Sequence, residues 1–325
     1  MESISPESIV VRLITDKPVR KTPYQVKGVF MKQFSEEKIV PFLDGKFRSK
    51  FLYPRVQVKI LKEQIYIVGL KEGVEPVLSL VDNVKSFNFG NITINIEQYD
   101  IEENSEQFIY TEKLLRYKFI TPWVALNKNT GGKYRTLKDQ EKLLYLNKLF
   151  GLNILFLSKE LGIDIKSKIF TKVHLDSLNS EKLDENGWGA FKGEVKTNFI
   201  LPSYIGLGNG ITRGFGTVFS LNNPNSLIID KSEESVDEYM QEDINVDEDG
   251  LSFVTIKDAP IINKRKKSKK PKKRYNQNKN RRNTNNKPYK KRSVNQEKKQ
   301  KINNNDLDDD SRFNSEEYHQ KQHDL

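Results

Sequence analysis

The stretch LPSYIGLGNGITRGFGTVFSL, residues 201–221, carries five glycines within eleven positions. Glycine permits positive φ and close backbone approach, and successive backbone N–H groups can form a nest for an anion. We therefore predict a loop whose amides face a phosphate. The alternative is a glycine-rich hairpin with bulges. A dinucleotide-binding loop is excluded, because GxGxxG would need glycine at Ile211 and a helix where the strand-like TVFSL follows. The residues expected to contact this phosphate are Gly206, Gly208, Gly210, Arg213, Gly214 and Gly216.

Composition favours an acidic partner. The 325 residues carry a formal net charge of +11, which favours nucleic acid over a membrane surface because no basic amphipathic helix is evident. The chain has no cysteine, so disulfides and cysteine-based zinc sites are excluded. An EF-hand-like start at Asn245 has Ile256 at the twelfth position, and we predict neither a metal site nor a cofactor. Without a long apolar run or a signal-peptide pattern, a soluble cytoplasmic protein is expected.

The first 107 residues alternate strand-like and helix-like segments. Apolar alternation and β-branched content predict strands at 9–15, 47–52, 56–61, 65–70 and 92–96. Helices are predicted over 24–34 and 74–84 from their apolar spacing. The order βαββαβ is typical of a ferredoxin-like domain.

Residues 108–222 repeat much of this order. A strand region at 111–126 precedes a long apolar-periodic helix, which Thr136 is expected to cap with Asp139 three residues later and which Gly162 ends. Strands follow at 165–175, 191–200 and 217–221, with the glycine loop before the last. The loop takes the place of a second helix. The predicted fold class is therefore α+β, with tandem ferredoxin-like (RRM-like) domains.

Residues 223–325 are strongly charged, and we predict a disordered tail. Residues 230–258 hold eleven acidic and two basic side chains, whereas 264–300 hold eighteen Lys or Arg and one Glu. Like charges within such blocks repel one another and stay hydrated, which disfavours a packed core. Within this segment, only the apolar residues 251–256 (LSFVTI) predict a short strand, which would pack on the folded domains. The basic segment, beginning Lys264, Arg265, Lys266 and Lys267, is expected to hold RNA; a nuclear-localisation cluster is the alternative. A further hypothesis is that the acidic block folds back on it.

At the glycine loop the chain resembles the CRISPR repeat-processing endoribonucleases, the Cas-six family of the RAMP superfamily. The resemblance rests on IGLGNGITRGFGTV, which is similar to the C-terminal glycine-rich signature of that family. FLYPRVQVKI, IYIVGLKEG, FITPWVALN and LFGLNILFLSKELGI support it, so it covers roughly residues 9–221 and is closest to the b-type branch. The family implies tandem ferredoxin-like domains that bind repeat RNA. It also implies metal-independent cleavage by the adjacent 2′-hydroxyl, which leaves a 2′,3′-cyclic phosphate.

The chain departs from the family at the expected histidine. Family members often carry a catalytic histidine before the FxYP-like strand, but KIVPFLDGKFRSKFLYP holds none. Lys46, Lys50 and Tyr53 from this segment are therefore the catalytic candidates, with Arg48 as an RNA contact. The alternative is a charged edge that binds RNA without catalysis or faces water. His174 is the remaining candidate, and a hydrogen-bonded strand histidine is its alternative role.

Two non-catalytic functions remain open. The chain could bind crRNA within a CRISPR effector complex after loss of cleavage, or it could be a structural RAMP subunit that lines guide RNA. Chemistry at residues 46–53 separates the enzyme from these binding roles.

Overall fold

Two antiparallel sheets organise the part of the chain that the computed structural model describes, namely residues 7–183, 189–221, 242–244 and 250–259. The first sheet has the strand order β2-β3-β1-β5-β4. Its elements are β1 (Ser8–Thr15), α1 (Pro23–Gln33), α2 (Val40–Leu43), β2 (Val56–Leu61), β3 (Gln64–Leu70), α3 (Val74–Asn83), β4 (Ser86–Asn88) and β5 (Thr93–Asn104). Apart from the short α2 and the additional edge strand β4, this order confirms the predicted βαββαβ pattern.

Strand β1 is buried on both faces, which explains its nearly continuous apolar sequence. Ile9 and Val11 join the hydrophobic cluster that includes Val26 and Phe30 of α1. Val10, which points the opposite way, joins the cluster built around the second sheet. The first sheet therefore packs its helices on one face and the rest of the described chain on the other.

The predicted strand at 47–52 is wrong. These residues form turns, with Gly45 at φ +85° and the Lys46 amide 2.7 Å from Asp44 Oδ1. The aromatic residues that suggested a strand pack on one another instead. The Phe42 ring centroid lies 4.9 Å from that of Phe47 and 6.1 Å from that of Phe51.

The second sheet has the strand order β12-β6-β11-β8-β14, with β13 also paired to β6. A small separate sheet has the order β7-β10-β9. The elements are β6 (Tyr110–Phe119), β7 (Trp123–Leu126), α4 (Lys128–Arg135), α5 (Asp139–Leu161), β8 (Ile169–Leu175), β9 (Glu181–Lys182), β10 (Gly189–Phe191), β11 (Gly193–Phe199), β12 (Val218–Ser220), β13 (Glu242–Asp243) and β14 (Ser252–Val254). As predicted, the glycine loop connects β11 to β12 where a second helix would lie.

Helix α5 starts later than the sequence suggested. Thr136 instead follows the last residue of α4, and its hydroxyl donates to the Lys133 carbonyl at 2.8 Å. Glu141 satisfies the start of α5 by accepting from the Lys138 amide at 2.9 Å, and Gly162 ends the helix at φ +70° as expected. Within the described residues, neither α5 nor another helix is long and apolar enough to cross a membrane.

Strand β14 confirms the docking strand predicted within the acidic block. It pairs antiparallel with β8, and Val254 is fully buried. A Cβ on Gly151 of α5 would lie 2.8 Å from Val254 Cγ2, so the glycine makes room for this strand. The remainder of the predicted disordered tail, apart from residues 242–244 and 250–259, lies outside the described residues.

Candidate functional site

The glycine loop lies across the first sheet, and two of its glycines are required by close contacts. At Gly216, where φ is +66°, a Cβ would fall 1.9 Å from the Leu207 carbonyl oxygen. At Gly206, a Cβ would fall 2.7 Å from Lys59 Nζ and 2.9 Å from Gln57 Oε1. A larger residue at Gly216 would therefore force the loop backbone to move, and one at Gly206 would press on Gln57 and Lys59 of β2.

Several loop amides that the sequence offered to an anion already bond within the protein. The amide of Gly206 donates to Gln57 Oε1 at 2.9 Å, that of Gly214 to the Ile211 carbonyl at 3.0 Å, and that of Gly216 to the Pro122 carbonyl at 2.9 Å. The amides of Gly208 and Gly210 make no hydrogen bond within the described part of the chain, and both residues are partly exposed. The exposed tip of the loop, residues 208–213, is thus the part suited to a phosphate.

Tyr53 fastens the loop to the first sheet. Its hydroxyl donates to the Gly206 carbonyl at 2.6 Å and accepts from Gln57 Nε2 at 3.0 Å. Together with the Gly206 amide bond to Gln57, this closes a ring of three buried hydrogen bonds. Burial raises the pKa of Tyr53, so its hydroxyl stays protonated and keeps donating. The contacts show a residue that positions the loop.

Two buried lysines, Lys27 and Lys59, also lie against the glycine loop. Neither was predicted from the sequence. Lys27 on α1 is buried, and its Nζ donates to the Thr212 carbonyl at 2.5 Å. Lys59 is completely buried, and its Nζ has no hydrogen-bond partner among the described residues. Burial lowers the pKa of Lys27 to about 8. Burial, and secondarily the charge of Lys27, lowers the pKa of Lys59 to about 7.

Such a pair is characteristic of functional sites, because amines that titrate near neutrality can exchange protons there. A signal was available in the sequence. In PYQVKGVF and VQVKIL each lysine interrupts an apolar segment, and strand alternation puts Lys59 on the same face as Gln57.

The candidates before Tyr53 lie on the surface. Lys46, Arg48 and Lys50 are exposed in the turns that precede β2, and Lys50 Nζ lies 4.8 Å from the centre of the Phe51 ring. The end of this segment is fixed, since Glu160 of α5 accepts from the Leu52 amide at 2.9 Å. The turns are therefore anchored next to Tyr53, with their cations facing solvent.

Arg213 and the remaining glycines form the loop tip. The Arg213 guanidinium carbon lies 5.3 Å from the centre of the Phe215 ring, and its Nη2 would lie 3.5 Å from a Cβ on Gly210. A Cβ on Gly208 would lie 2.8 Å from Trp123 Nε1. The tip thus presents a cation, two partly exposed glycines and an aromatic ring.

The structure does not bring the other predicted residues to this place. His174 is exposed on β8, opposite Glu194 of β11, and no contact with the glycine loop is seen among the described residues. Lys264, Arg265, Lys266 and Lys267 lie outside the described residues.

Comparison with known proteins agrees with this architecture. A profile for the Cas6b N-terminal domain matches residues 7–120, and one for the Cas6b C-terminal domain matches residues 109–221. The chain is 30% identical over 139 residues to Uncharacterized protein MJ0978 of Methanocaldococcus jannaschii, covering 43% of this chain and 95% of the relative. The span matched by the two profiles contains the glycine loop, Tyr53 and both buried lysines.

One solved structure agrees with this assignment. A crystal structure of Cas6b superimposes with a TM-score of 0.53 and 27% identity, covering 66% of this chain and 99% of that one. A second, the CRISPR RNA processing endoribonuclease Cas6b, has a TM-score of 0.49 and 26% identity over 66% of this chain and 99% of that one. The protein therefore belongs to the Cas6 family of CRISPR processing proteins, with N- and C-terminal domains of the Cas6b type.

Proposed function

We propose that the protein is a metal-independent endoribonuclease that binds CRISPR repeat RNA and cuts precursor transcripts into crRNA. A 2′-hydroxyl loses its proton, its oxygen attacks the adjacent phosphorus, and the 5′-oxygen leaves and takes up a proton. The products are a 2′,3′-cyclic phosphate and a 5′-hydroxyl. The observation that carries the proposal is the buried Lys27 amine bonded to the Thr212 carbonyl of the glycine loop, within the family's paired domains.

Lys27 is suited to accept the proton. A pKa lowered to about 8 leaves part of the amine neutral near neutral pH, with a lone pair for the 2′-hydroxyl. The bond to the Thr212 carbonyl persists in that state, because a neutral amine still carries N–H donors. Lys59 lies behind it, where burial and, secondarily, the charge of Lys27 lower its own pKa.

The exposed lysines suit the negatively charged phosphorane. Lys50 precedes Tyr53 by three residues, which span at most about 11 Å of chain, and Tyr53 itself touches the loop. In this arrangement Lys46 and Lys50 stabilise the transition state, Arg48 and Arg213 bind flanking phosphates, and Tyr53 holds the loop in place.

The decisive experiment incubates the purified full chain with repeat RNA of its own locus in EDTA and resolves the products at single-nucleotide precision. We expect one cut that leaves a cyclic phosphate. Loss of a general base typically costs about 10²–10⁴-fold in rate, so Lys27→Met should abolish detectable cleavage. Lys32→Met is the matched control, since Lys32 is an exposed lysine of the same helix. Equal rates for these two variants would overturn the role of Lys27.

A crRNA-binding protein without nuclease activity is the second candidate. It is favoured by the position of His174 on β8, because among the described residues that is the one histidine and it lies outside the loop contact. Tight binding of repeat RNA in the same assay, with no product after long incubation, would establish this alternative.

A further inference from the structure

Strand β5 leaves much of its outer edge without a partner strand among the described residues. Its inner side pairs with β1 over residues 96–104, whereas on its outer side β4 pairs only with residues 93–95. The Ile96 amide adds one bond to the Lys85 carbonyl at 2.9 Å, and beyond it no described strand accompanies residues 97–103. Every second residue of an edge strand directs its N–H and C=O groups outward, so this stretch can pair with another strand.

An open groove of about 420 Å³ lies beside this edge, on the face where α3 packs. Its lining residues are Glu75, Leu78, Ser79, Val81 and Asp82 of α3 and Ile101 of β5. Ile101 is 41% exposed, although Val11, directly opposite it on β1, is completely buried. Side chains of a strand alternate between its two faces, so a strand added beside β5 would bury an apolar side chain against Ile101.

The edge and the groove carry negative charge. Residues 96–107 hold five acidic side chains and no basic one, in a chain whose net charge is +11. Two of the local carboxylates are neutralised, because Asp100 lies 2.5 Å from Arg12 and Glu75 lies 2.6 Å from Lys38. Three exposed carboxylates make no ion pair within the described part of the chain, namely Asp82, Glu97 and Glu103.

This charge decides which strand the edge can accept. RNA is repelled, because its phosphates carry the same sign. A second copy of the same edge is disfavoured, since like charges placed directly opposite each other destabilise a strand pair. The nearby exposed lysine, Lys85, precedes β4 and so lies at one end of the unpaired stretch. An extended segment rich in lysine or arginine therefore fits residues 97–103.

We propose that the outer edge of β5 binds an extended, basic segment of a partner protein. The segment adds a strand beside residues 97–103, places an apolar side chain against Ile101 and brings its cations to Asp82, Glu97 and Glu103. In this mode of recognition, main-chain hydrogen bonds supply affinity and pockets for alternate side chains supply specificity. The inference goes beyond the proposed function, because it uses none of the residues assigned to RNA cleavage.

The first test measures, by fluorescence anisotropy, how the full chain binds a labelled peptide of about eight residues that alternates Val and Lys. A control peptide has the same side chains but a methyl group on every backbone nitrogen, so it keeps the charge and cannot donate to a strand edge. We expect the methylated peptide to bind at least about fivefold more weakly, because several hydrogen bonds are lost. Equal affinities would show attraction by charge alone and would overturn the proposal.

The second test locates the binding site. Ile101→Lys should weaken binding of the unmethylated peptide at least about fivefold, because it fills the groove and reverses the local charge. Leu144→Lys is the matched control, since it adds the same charge at a 49% exposed apolar residue of α5. In the unaltered chain, the peptide should slow hydrogen exchange of the amides within residues 97–103. Equal affinity of the two variants, or protection confined to other segments, would overturn the proposal.

Two further outcomes would also contradict it. Failure of the unaltered chain to bind the unmethylated peptide would remove the basic partner. Sedimentation that shows a dimer of the unaltered chain and a monomer of Ile101→Lys would identify a second copy as the occupant instead. Cleavage of repeat RNA is measured separately, so none of these results decides the proposed function.

Discussion

The hydroxyl oxygen of Tyr53 lies 2.6 Å from the carbonyl oxygen of Gly206, although 153 positions separate the two residues. This buried contact joins the end of the cationic turns in the first sheet's chain segment to the glycine loop. The contact therefore holds the glycine loop next to the segment that carries Lys46 and Lys50.

Tyr53→Phe should destabilise the fold and loosen the loop. It leaves the Gly206 carbonyl without its Tyr53 donor and leaves Gln57 Nε2 with only its longer bond to the Pro54 carbonyl, a loss of about 1–3 kcal/mol in the free energy of unfolding. Urea denaturation measures it. The control is Tyr110→Phe, which removes a longer, exposed bond of 3.3 Å to the Ser167 carbonyl and should cost less. Equal losses in the two variants would contradict a special role for the Tyr53 contact.

Lys59→Met should stabilise the protein, and by more at low pH. The folded pKa of Lys59 is about 7 and its ordinary value is 10.5, so the unfolded chain binds more protons between these values. The resulting destabilisation is complete below about pH 7 and disappears toward pH 10.5. We expect the gain in the free energy of unfolding to be a few kcal/mol at about pH 6 and to shrink by about pH 9.5. Lys32→Met controls for removal of a surface lysine; a pH-independent gain at Lys59 would refute this account.

Gly216→Ala should disrupt the glycine loop. Its Cβ would lie 1.9 Å from the Leu207 carbonyl oxygen at φ +66°, so the backbone must move. We expect the free energy of unfolding to fall by at least about 1–3 kcal/mol. RNA binding should weaken as well. Gly132→Ala is the matched control, because that glycine lies in α4 with nothing within 4 Å of the added Cβ. It should be neutral or stabilise by about 0.5–1 kcal/mol.

The cleavage rate should rise with pH through about 8 and then level off. A base must be neutral to accept a proton, and the folded pKa of Lys27 is about 8. Single-turnover rates in EDTA between about pH 6.5 and 9 measure this, with Lys27→Arg, which remains charged, as the background. A flat profile would assign proton transfer to another group.

Much of the fold could be predicted because its signals are local. Apolar alternation located β1–β3, and the short turn between β2 and β3 is a hairpin as expected, with Lys62 and Glu63 both at positive φ. The predicted helix start at Thr136 is wrong because this residue instead caps the C-terminal end of a short additional helix, α4. The strand at 47–52 failed because aromatic residues favour strands and local clusters alike.

The site was less accessible to sequence reasoning. Tyr53 and the glycine loop were found from their motifs. Lys27 and Lys59, by contrast, interrupt apolar segments in the sequence, but their lowered pKa values arise from burial beneath a loop that contacts Lys27 from 185 residues further along the chain. The internal bonds of the Gly206 and Gly216 amides likewise depend on tertiary contacts.

Strand β14 has a practical consequence for anyone preparing this protein. A polypeptide shortened to residues 1–221, the limit of the family match, would lack the partner that covers the outer edge of β8. Bare strand edges recruit the edges of other molecules. The shortened polypeptide would therefore tend to self-associate at high concentration because of the truncation. Oligomers formed by such a fragment would say nothing about the intact chain.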